Sequence, residues 1–493
     1  MAVSFNAFGK MEWLNRRLLT LILVALAARC ITFGNPVLDA DESFYLVTAQ
    51  SMLHGALPYV DIWDRKPIGL FLIYLLPALF HGAGAYIAYQ LLALLFVIVT
   101  ALLIARLAER AGWRAGALPA ALAYILWINL ADGQGGQAPV FYNLFMAGAA
   151  LAVTNVMAEA RPGRRLACGL AAMLLTGISL QIKYTVVFEG VFFGLFLLFQ
   201  EWRLKTHFPR IIFRGVILAA TALIPTAIVT AVYAGLGYFD AFFFANFISI
   251  WQRHAEPFNM VAGNFGVIAA ILGPLLAIAY WRLPPVAVIP VEGEAGQFLK
   301  FWLASALFGL LIFGTYFVHY SLAVMVPAAC CAAGFFAHSR HGRKTAIIVL
   351  TLIAIAGQVM VAVKIKHRGN GDEIRAIAHQ IGRGEGCLFD YSGQTILYQL
   401  TGRCWPSKYM LSSHLNHARE TGAIGVSQEA EMRRILESRP EVILMTPQGG
   451  ENMTIHRMVY SELARAYHLE ATLPLGRGRV EIFRRNEAGG NLP

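Results

Sequence analysis

Charge is what this chain has least of. Of its 493 residues only 14% are Asp, Glu, Lys or Arg, while 57% are hydrophobic; a soluble domain carries roughly a quarter charged residues. That shortage argues against a soluble globular chain, and the mean hydropathy of +0.57 agrees. Internal repeats and low-complexity tracts are also missing. So is a small-residue cleavage site after the first apolar run, 18–33. That run, preceded by Lys10, Arg16 and Arg17, is therefore expected to be a retained helix and not a removed signal peptide. The net charge of +11 sits in short basic runs between apolar segments, the pattern of cytoplasmic loops, which excludes nucleic acid as a partner.

Apolar stretches long enough to cross about 30 Å of hydrocarbon recur along the first three quarters of the chain. Candidate spans are 18–33, 85–105, 115–131, 138–158, 166–182, 184–200, 211–233, 261–281, 299–317, 321–337 and 345–363, about eleven in all. Alternate connections carry Arg106, Arg110 and Arg114; Arg161, Arg164 and Arg165; Arg203, Lys205 and Arg210; Arg282; and Arg340, Arg343 and Lys344. The excess of arginine and lysine places these in the cytoplasm together with the N-terminus. An odd number of spans then puts the tail on the outer side. The expectation is a multi-pass protein of a bacterial inner membrane, with a transmembrane domain over 1–365 and a periplasmic α/β domain over 366–493.

In the tail the pattern predicts helices over 372–381, 394–400, 428–437 (with Ser427 as N-cap) and 455–467. It predicts strands over 387–391, 442–445, 468–475 and 479–483. Cys30, Cys168, Cys330 and Cys331 fall in spans, as small apolar residues do. Cys387 and Cys404 are the only pair in the tail, and an oxidising outer compartment predicts a disulfide between them.

The stretch after the first span is the most informative. Asp39, Asp41 and Glu42 lie within four residues at the start of a helical pattern (Tyr45, Ala49, Met52, Leu53) that reads as an interfacial helix. Acids there are favoured by the helix dipole, and capping alone would explain Asp41 and Glu42. A turn at Gly55-Ala-Leu-Pro-Tyr59 leads to Asp61, Asp64, Arg65 and Lys66. Pro67 then opens a short apolar stretch to Phe80 that must not cross if the charge pattern is right. Singly, Arg65 and Lys66 read as lipid-headgroup anchors. Beside three carboxylates, on the side that the distribution of basic residues disfavours, they suggest a site.

Asp41-Glu42-x-x-Tyr45, the Gly55-x-x-Pro58-Tyr59-x-Asp61 turn and Lys66-Pro67 resemble the first-loop signature of GT-C glycosyltransferases. The match is to the branch of protein mannosyltransferases, the aminoarabinose transferase of lipid A and rhizobial galacturonosyltransferases. The resemblance extends in layout to the number of spans, to His319-Tyr320 with Pro327, and to an outer C-terminal domain. It implies a transferase that takes a sugar from a polyprenyl-phosphate donor in the membrane lipid and passes it to a glycan, lipid or protein acceptor. An inverting displacement needs a base, for which Asp41 is the first candidate. Glu42 would be its partner, or with Asp41 a ligand for a divalent cation (Mg, Mn or Ca). The departing phosphate needs a cation, with Lys66 the first candidate and Arg65 the second.

Tyr59, Lys183, Arg253, His254, His319 and Tyr320 complete the candidates for substrate or lipid-phosphate contact. Lys183 interrupts two apolar runs at the outer side, and Arg253 and His254 lie in an aromatic-rich loop. Relatives often carry a further acid after the third span. Here that connection is Asp132-Gly-Gln-Gly-Gly-Gln-Ala-Pro139, with Asp132 its only acid and so the alternative base. Glu189, well inside a span, reads as a structural pairing. It is the one feature that favours the rival reading, a membrane transporter. A lipid-linked glycan polymerase or ligase would be expected to carry a large late outer loop with arginines, and that loop is modest here.

Overall fold

The computed structural model describes residues 2–281, 290–338, 340–446 and 450–486; Arg282, expected on a cytoplasmic connection, lies outside them. Ten helices among the described residues are long and apolar enough to cross a membrane, from Ala83–Arg110 to Gly342–Ile381. They take up ten of the expected spans in order, so the chain is a multi-pass, mainly helical membrane protein. The remaining expected span falls on the helix Ala2–Arg29, which stops at Arg29 and turns through a 3-10 segment at Cys30–Thr32. Its apolar stretch is bracketed by Arg16, Arg17 and Arg29, which leaves it short. The stretch after Pro67 forms the helix Ile68–Ala78, 11 residues long. At 1.5 Å per residue that is about 16 Å, half of what a crossing needs.

The chain divides into two compact units. The first comprises Met1–Phe33, Gln90–Ile228 and Phe258–Val361 and holds most of the span helices. Small residues let those helices approach closely where lipid supplies no hydrophobic drive between them. A Cβ on Gly116 would lie 1.9 Å from the Ala333 carbonyl oxygen, and one on Gly177 would lie 2.3 Å from that of Ala222.

The second unit comprises Gly34–Tyr89, Val229–Pro257 and Ala362–Pro493. The division therefore does not fall at 365/366 alone. The first loop and the aromatic-rich connection share one core with the tail, because their aromatic residues are buried in it. Tyr59 and Trp63 come from the loop, Tyr233 and Phe242 from the connection, and Phe389, Tyr409, Ile424 and Ile443 from the tail.

The tail builds a four-stranded sheet in the order β1-β2-β4-β3. Its strands are β1 (Leu388–Asp390), β2 (Val442–Met445), β3 (Tyr467–Leu475) and β4 (Gly478–Arg485). β1 and β2 are parallel, with Phe389 opposite Ile443. β4 runs antiparallel to both β2 and β3. The two-residue turn between β3 and β4 uses Gly476 at φ +61, which a side chain would strain. Helices Gly371–Ile381, Ile396–Thr401, Gln428–Glu437 and Met453–Ala466 stand close to their expected places, and the Ser427 side chain accepts from the Ala430 N–H. Cys387 and Cys404 form the expected disulfide.

Two predictions follow from the tail. Alkylation of the denatured, unreduced protein is expected to add four labels, on Cys30, Cys168, Cys330 and Cys331; six labels by mass spectrometry would rule the bridge out. The second concerns Asp390, which is 2% exposed and whose carboxyl group burial pushes up to about 7. The folded chain therefore holds a proton there that the unfolded chain releases near pH 4. This contribution to stability is complete below about pH 4 and is lost as pH rises through 7. Asp390→Asn keeps an acceptor for the Gly393 N–H, which now donates to Asp390 Oδ1 at 2.5 Å. Melting midpoints taken from pH 5 to 8 are expected to fall less for this variant than for the parent.

Candidate active site

The helix Ala40–Leu53 is capped by Asp39, whose side chain accepts the Asp41 N–H at 3.0 Å. Capping thus falls to Asp39 and leaves the Asp41 side chain to other partners. Tyr45 follows Asp41 by four positions, hence on the same helix face. Its hydroxyl donates to Asp41 Oδ2 at 3.1 Å. Burial, and next the charge of Asp41, pushes this phenol well above its ordinary value, so it stays a neutral donor.

The chain returns to this face through a turn with Gly55 at φ +94 and Tyr59 at φ +71. The Tyr59 N–H donates to the Ile62 carbonyl at 2.6 Å, and its hydroxyl donates to the Lys66 carbonyl at 2.9 Å. Lys66 Nζ then donates to Asp41 Oδ2 at 3.1 Å and to the Tyr45 oxygen at 2.8 Å. Asp41 and Lys66 are each 26% exposed, so the pair is reachable from outside. Behind it, Asp39 Oδ2 lies 4.0 Å from Lys364 Nζ. Tyr59, expected as a substrate contact, is 1% exposed and packs in the core, where its hydroxyl holds the Lys66 backbone.

The expected cation ligands do not converge. Asp41 and Glu42 are successive residues on one helix, so their side chains diverge by about 100°. Glu42 is 3% exposed, and Asp41 already carries the Lys66 ammonium. Among the described residues no cluster of three or more His, Cys, Asp or Glu side chains could hold a metal ion. Asp41 and Glu42 by themselves are therefore a poor fit for Mg, Mn or Ca.

Arg65 points into its own cluster. Its guanidinium lies 4.7 Å from the Trp63 ring centroid, and its Nε donates to Ser249 Oγ at 2.6 Å. Its Nη2 donates to the Ala423 carbonyl at 3.0 Å and lies 2.6 Å from Glu420 Oε2. Arg253 bonds the other oxygen of the same carboxylate. Both arginines, expected at a phosphate, thus meet on Glu420, which is 2% exposed. The His254 backbone N–H donates to the Arg419 carbonyl at 3.0 Å, and the residue is exposed. Close by, His414 Nε2 is 3.9 Å from Asp64 Oδ1. Burial first, then Arg65, Arg253 and Lys66, hold His414 well below its ordinary value, while burial pushes Asp64 up. Sequence reasoning missed Glu420 and His414. The available signal was the long irregular connection between Thr401 and Gln428, since such connections are usually functional.

In the first unit, Lys183 immediately precedes the span Tyr184–Arg203, and its Nζ lies 4.0 Å over the Tyr320 ring. Two expected phosphate contacts are thereby joined. His319 stacks on Phe317 with centroids 6.0 Å apart. Asp132 ends the 3-10 turn Ile128–Ala131 in the left-handed region, at φ +60. Asp tolerates that region better than most side chains, which gives the residue a backbone reason for its place.

Removing the carboxylate that two arginines share leaves two largely buried cations without it. Glu420→Ala is expected to cost about 3 kcal/mol or more, read as a lowered midpoint in detergent unfolding. An unchanged midpoint would show that the cluster is dispensable.

No family model and no curated protein matches the chain. Solved structures do match it. The crystal structure of ArnT from Cupriavidus metallidurans bound to undecaprenyl phosphate superposes with a TM-score of 0.58 at 15% identity, over 98% of this chain and 99% of that one. The apo form of ArnT gives 0.56 at 13% identity, over 96% and 98%. The chain thus has the fold of ArnT over nearly its whole length.

Proposed function

We propose that this chain is a glycosyltransferase that moves a sugar from a polyprenyl-phosphate donor to a glycan, lipid or protein acceptor at the outer face of a bacterial inner membrane. The observation that carries the proposal is the partly open Asp41–Lys66–Tyr45 constellation on a fold shared with a protein bound to undecaprenyl phosphate. Lipopolysaccharide is the natural lipid acceptor at that face. The chain order of the helices supports the orientation. Arginine runs occupy one set of alternating connections. The first loop, Asp132, Lys183, Arg253 and the disulfide-bearing tail occupy the other.

The residues suit an inverting displacement. Asp41 takes the proton of the acceptor hydroxyl as its oxygen forms a bond to the anomeric carbon. The bond from that carbon to the phosphate oxygen breaks, and the electron pair leaves with the lipid phosphate. Lys66 meets the charge that develops there. Tyr45, neutral and bonded to both, fixes their geometry. Glu42 is a buried neighbour in this scheme, and no step passes through a metal. Arg65 and Arg253, held on Glu420, shape the loops around the site. Asp132 is the alternative base.

Asp41→Asn is expected to lower transfer about 10²- to 10⁴-fold with expression and melting midpoint unchanged. Lys66→Met should lower turnover without abolishing acceptor binding. The assay is transfer in proteoliposomes, with the donor and acceptor identified from the glycan and lipid A mass profiles of a deletion strain. Full activity in Asp41→Asn together with its loss in Asp132→Asn would move the base to Asp132.

A further inference from the structure

The end of the last span and the hairpin of the tail meet at one point, and that point is basic. The helix Gly342–Arg368 carries its apolar stretch to Val363 and ends in Lys364-Ile-Lys-His-Arg368. The turn between β3 and β4, Leu475-Gly-Arg-Gly-Arg479, is held against this end by its backbone. The Arg477 N–H donates to the His367 carbonyl at 3.3 Å. A Cβ on Gly476 would lie 2.4 Å from the same carbonyl oxygen, so the approach needs glycine. Glu373 fixes the turn from its other side: its Oε2 accepts the Gly476 and Asn370 N–H groups, each at 3.0 Å. All of these residues belong to the second unit.

Lys366, His367, Arg368, Arg477 and Arg479 are exposed. Arg479 lies 3.2 Å from Glu481, and Lys364 lies 4.0 Å from Asp39. Among the described residues Lys366, Arg368 and Arg477 form no ion pair. The neighbouring acids do not neutralise them, because Glu373 is spent on backbone N–H groups and Asp372 pairs with Arg375. The helix dipole favours cations in the last turn of the span. It gives no reason for two arginines brought back from far along the chain. An apolar stretch over 345–363 is enough to fill the hydrocarbon, so 364–368 emerge among lipid headgroups. In the orientation proposed above this is the outer face, where an excess of lysine and arginine is disfavoured.

We propose that the span end and the hairpin turn form a docking surface for the phosphodiester headgroup of an anionic phospholipid. Charge selects this partner. Phosphatidylglycerol presents a phosphate and no cation, whereas a zwitterionic headgroup also carries an ammonium group that the same side chains repel. Lys366 and Arg368 come from the helix, and Arg477 and Arg479 from the hairpin. An arginine can bond two phosphate oxygens at once. Because backbone hydrogen bonds already fix the hairpin on the helix end, little ordering of the chain is required when the lipid binds. Only the choice of face rests on the proposed orientation; the binding itself does not depend on glycosyl transfer.

The full chain in a nonionic detergent is titrated with dioctanoyl phosphatidylglycerol, dioctanoyl phosphatidylcholine or lipid A, and bound lipid is counted by native mass spectrometry. Phosphatidylglycerol is expected to bind about tenfold more tightly than phosphatidylcholine. Arg477→Gln with Arg479→Gln, and separately Lys366→Gln with Arg368→Gln, should each weaken that binding about 10- to 30-fold. Neither pair should lower the melting midpoint in detergent alone. Arg433→Gln with Arg457→Gln removes the same charge from two other exposed helix positions of the tail and should leave binding unchanged. Equal binding of the two phospholipids, or an equal loss in the Arg433/Arg457 control, would overturn the proposal. Tighter binding of lipid A through the same four residues would give the surface to a phosphorylated acceptor and overturn the phospholipid assignment. Asp41→Asn should bind phosphatidylglycerol as the parent does, so that loss of transfer and loss of docking are read separately.

Discussion

The contact between Lys66 and Asp41 constrains the rest of the first loop. It joins residues 25 positions apart, and each needs its own support. Asp41 is presented by a helix that Asp39 caps. Lys66 is presented by a turn whose Tyr59 is buried and bonded to the Lys66 carbonyl. Pro67 ends that turn and opens the next helix. A pair of this exposure contributes about 0–1 kcal/mol to stability, far less than the ordering of the loop costs. Stability alone is therefore a poor reason for the arrangement. Holding a carboxylate and an ammonium at a fixed separation, within reach of an outside molecule, is a better one.

Much of this was legible beforehand, and the reasons are physical. Span helices announce themselves because hydrocarbon tolerates only long apolar helices. The tail strand at 442–445 was legible as the short apolar run Val442-Ile-Leu-Met445, and the pair 468–475 and 479–483 from the turn residues Gly476 and Gly478 between them. The carboxylates and Lys66 stood out because charge is so scarce. What stayed hidden was pairing over long sequence separations. Arg65 finds its acid at Glu420, 355 positions away, and nothing local distinguishes it from Lys66, its neighbour with an opposite fate. Tyr59 was noticed for its place in a motif, yet its side chain serves the core. Asp39, Asp41 and Glu42 were a single cluster in sequence; the helix start separates them into a cap, a partner for Lys66 and a buried neighbour.

The division into units has the same origin. A boundary near 365 follows from hydropathy, which sees where spans end but not which loops fold together. Residues 34–89 and 229–257 are rich in aromatics, and an aromatic-rich loop outside the hydrocarbon needs a core to enter. The tail supplies that core through Phe389, Tyr409 and Ile443. The tail thereby becomes part of what fixes Lys66 and Arg65, since the Trp63 N–H also donates to the Lys408 carbonyl at 2.9 Å. A variant that loosens the tail should accordingly disturb the first loop even where no residue of the loop has changed.

Two solutions to the cost of burying charge coexist in one chain. The second unit pairs its charges densely: Arg65 and Arg253 with Glu420, Arg419 with Glu256, and Arg403 and Arg484 with Glu441. Each of these acids is matched, and the groups are committed to holding loops together. In the first unit Glu189 is held by an indole N–H in place of a cation. Dense pairing leaves little free energy for a ligand to gain, because every partner must first be displaced. By that criterion Arg65 and Arg253 of the second unit are held for structure before they are available to a ligand, despite their charge.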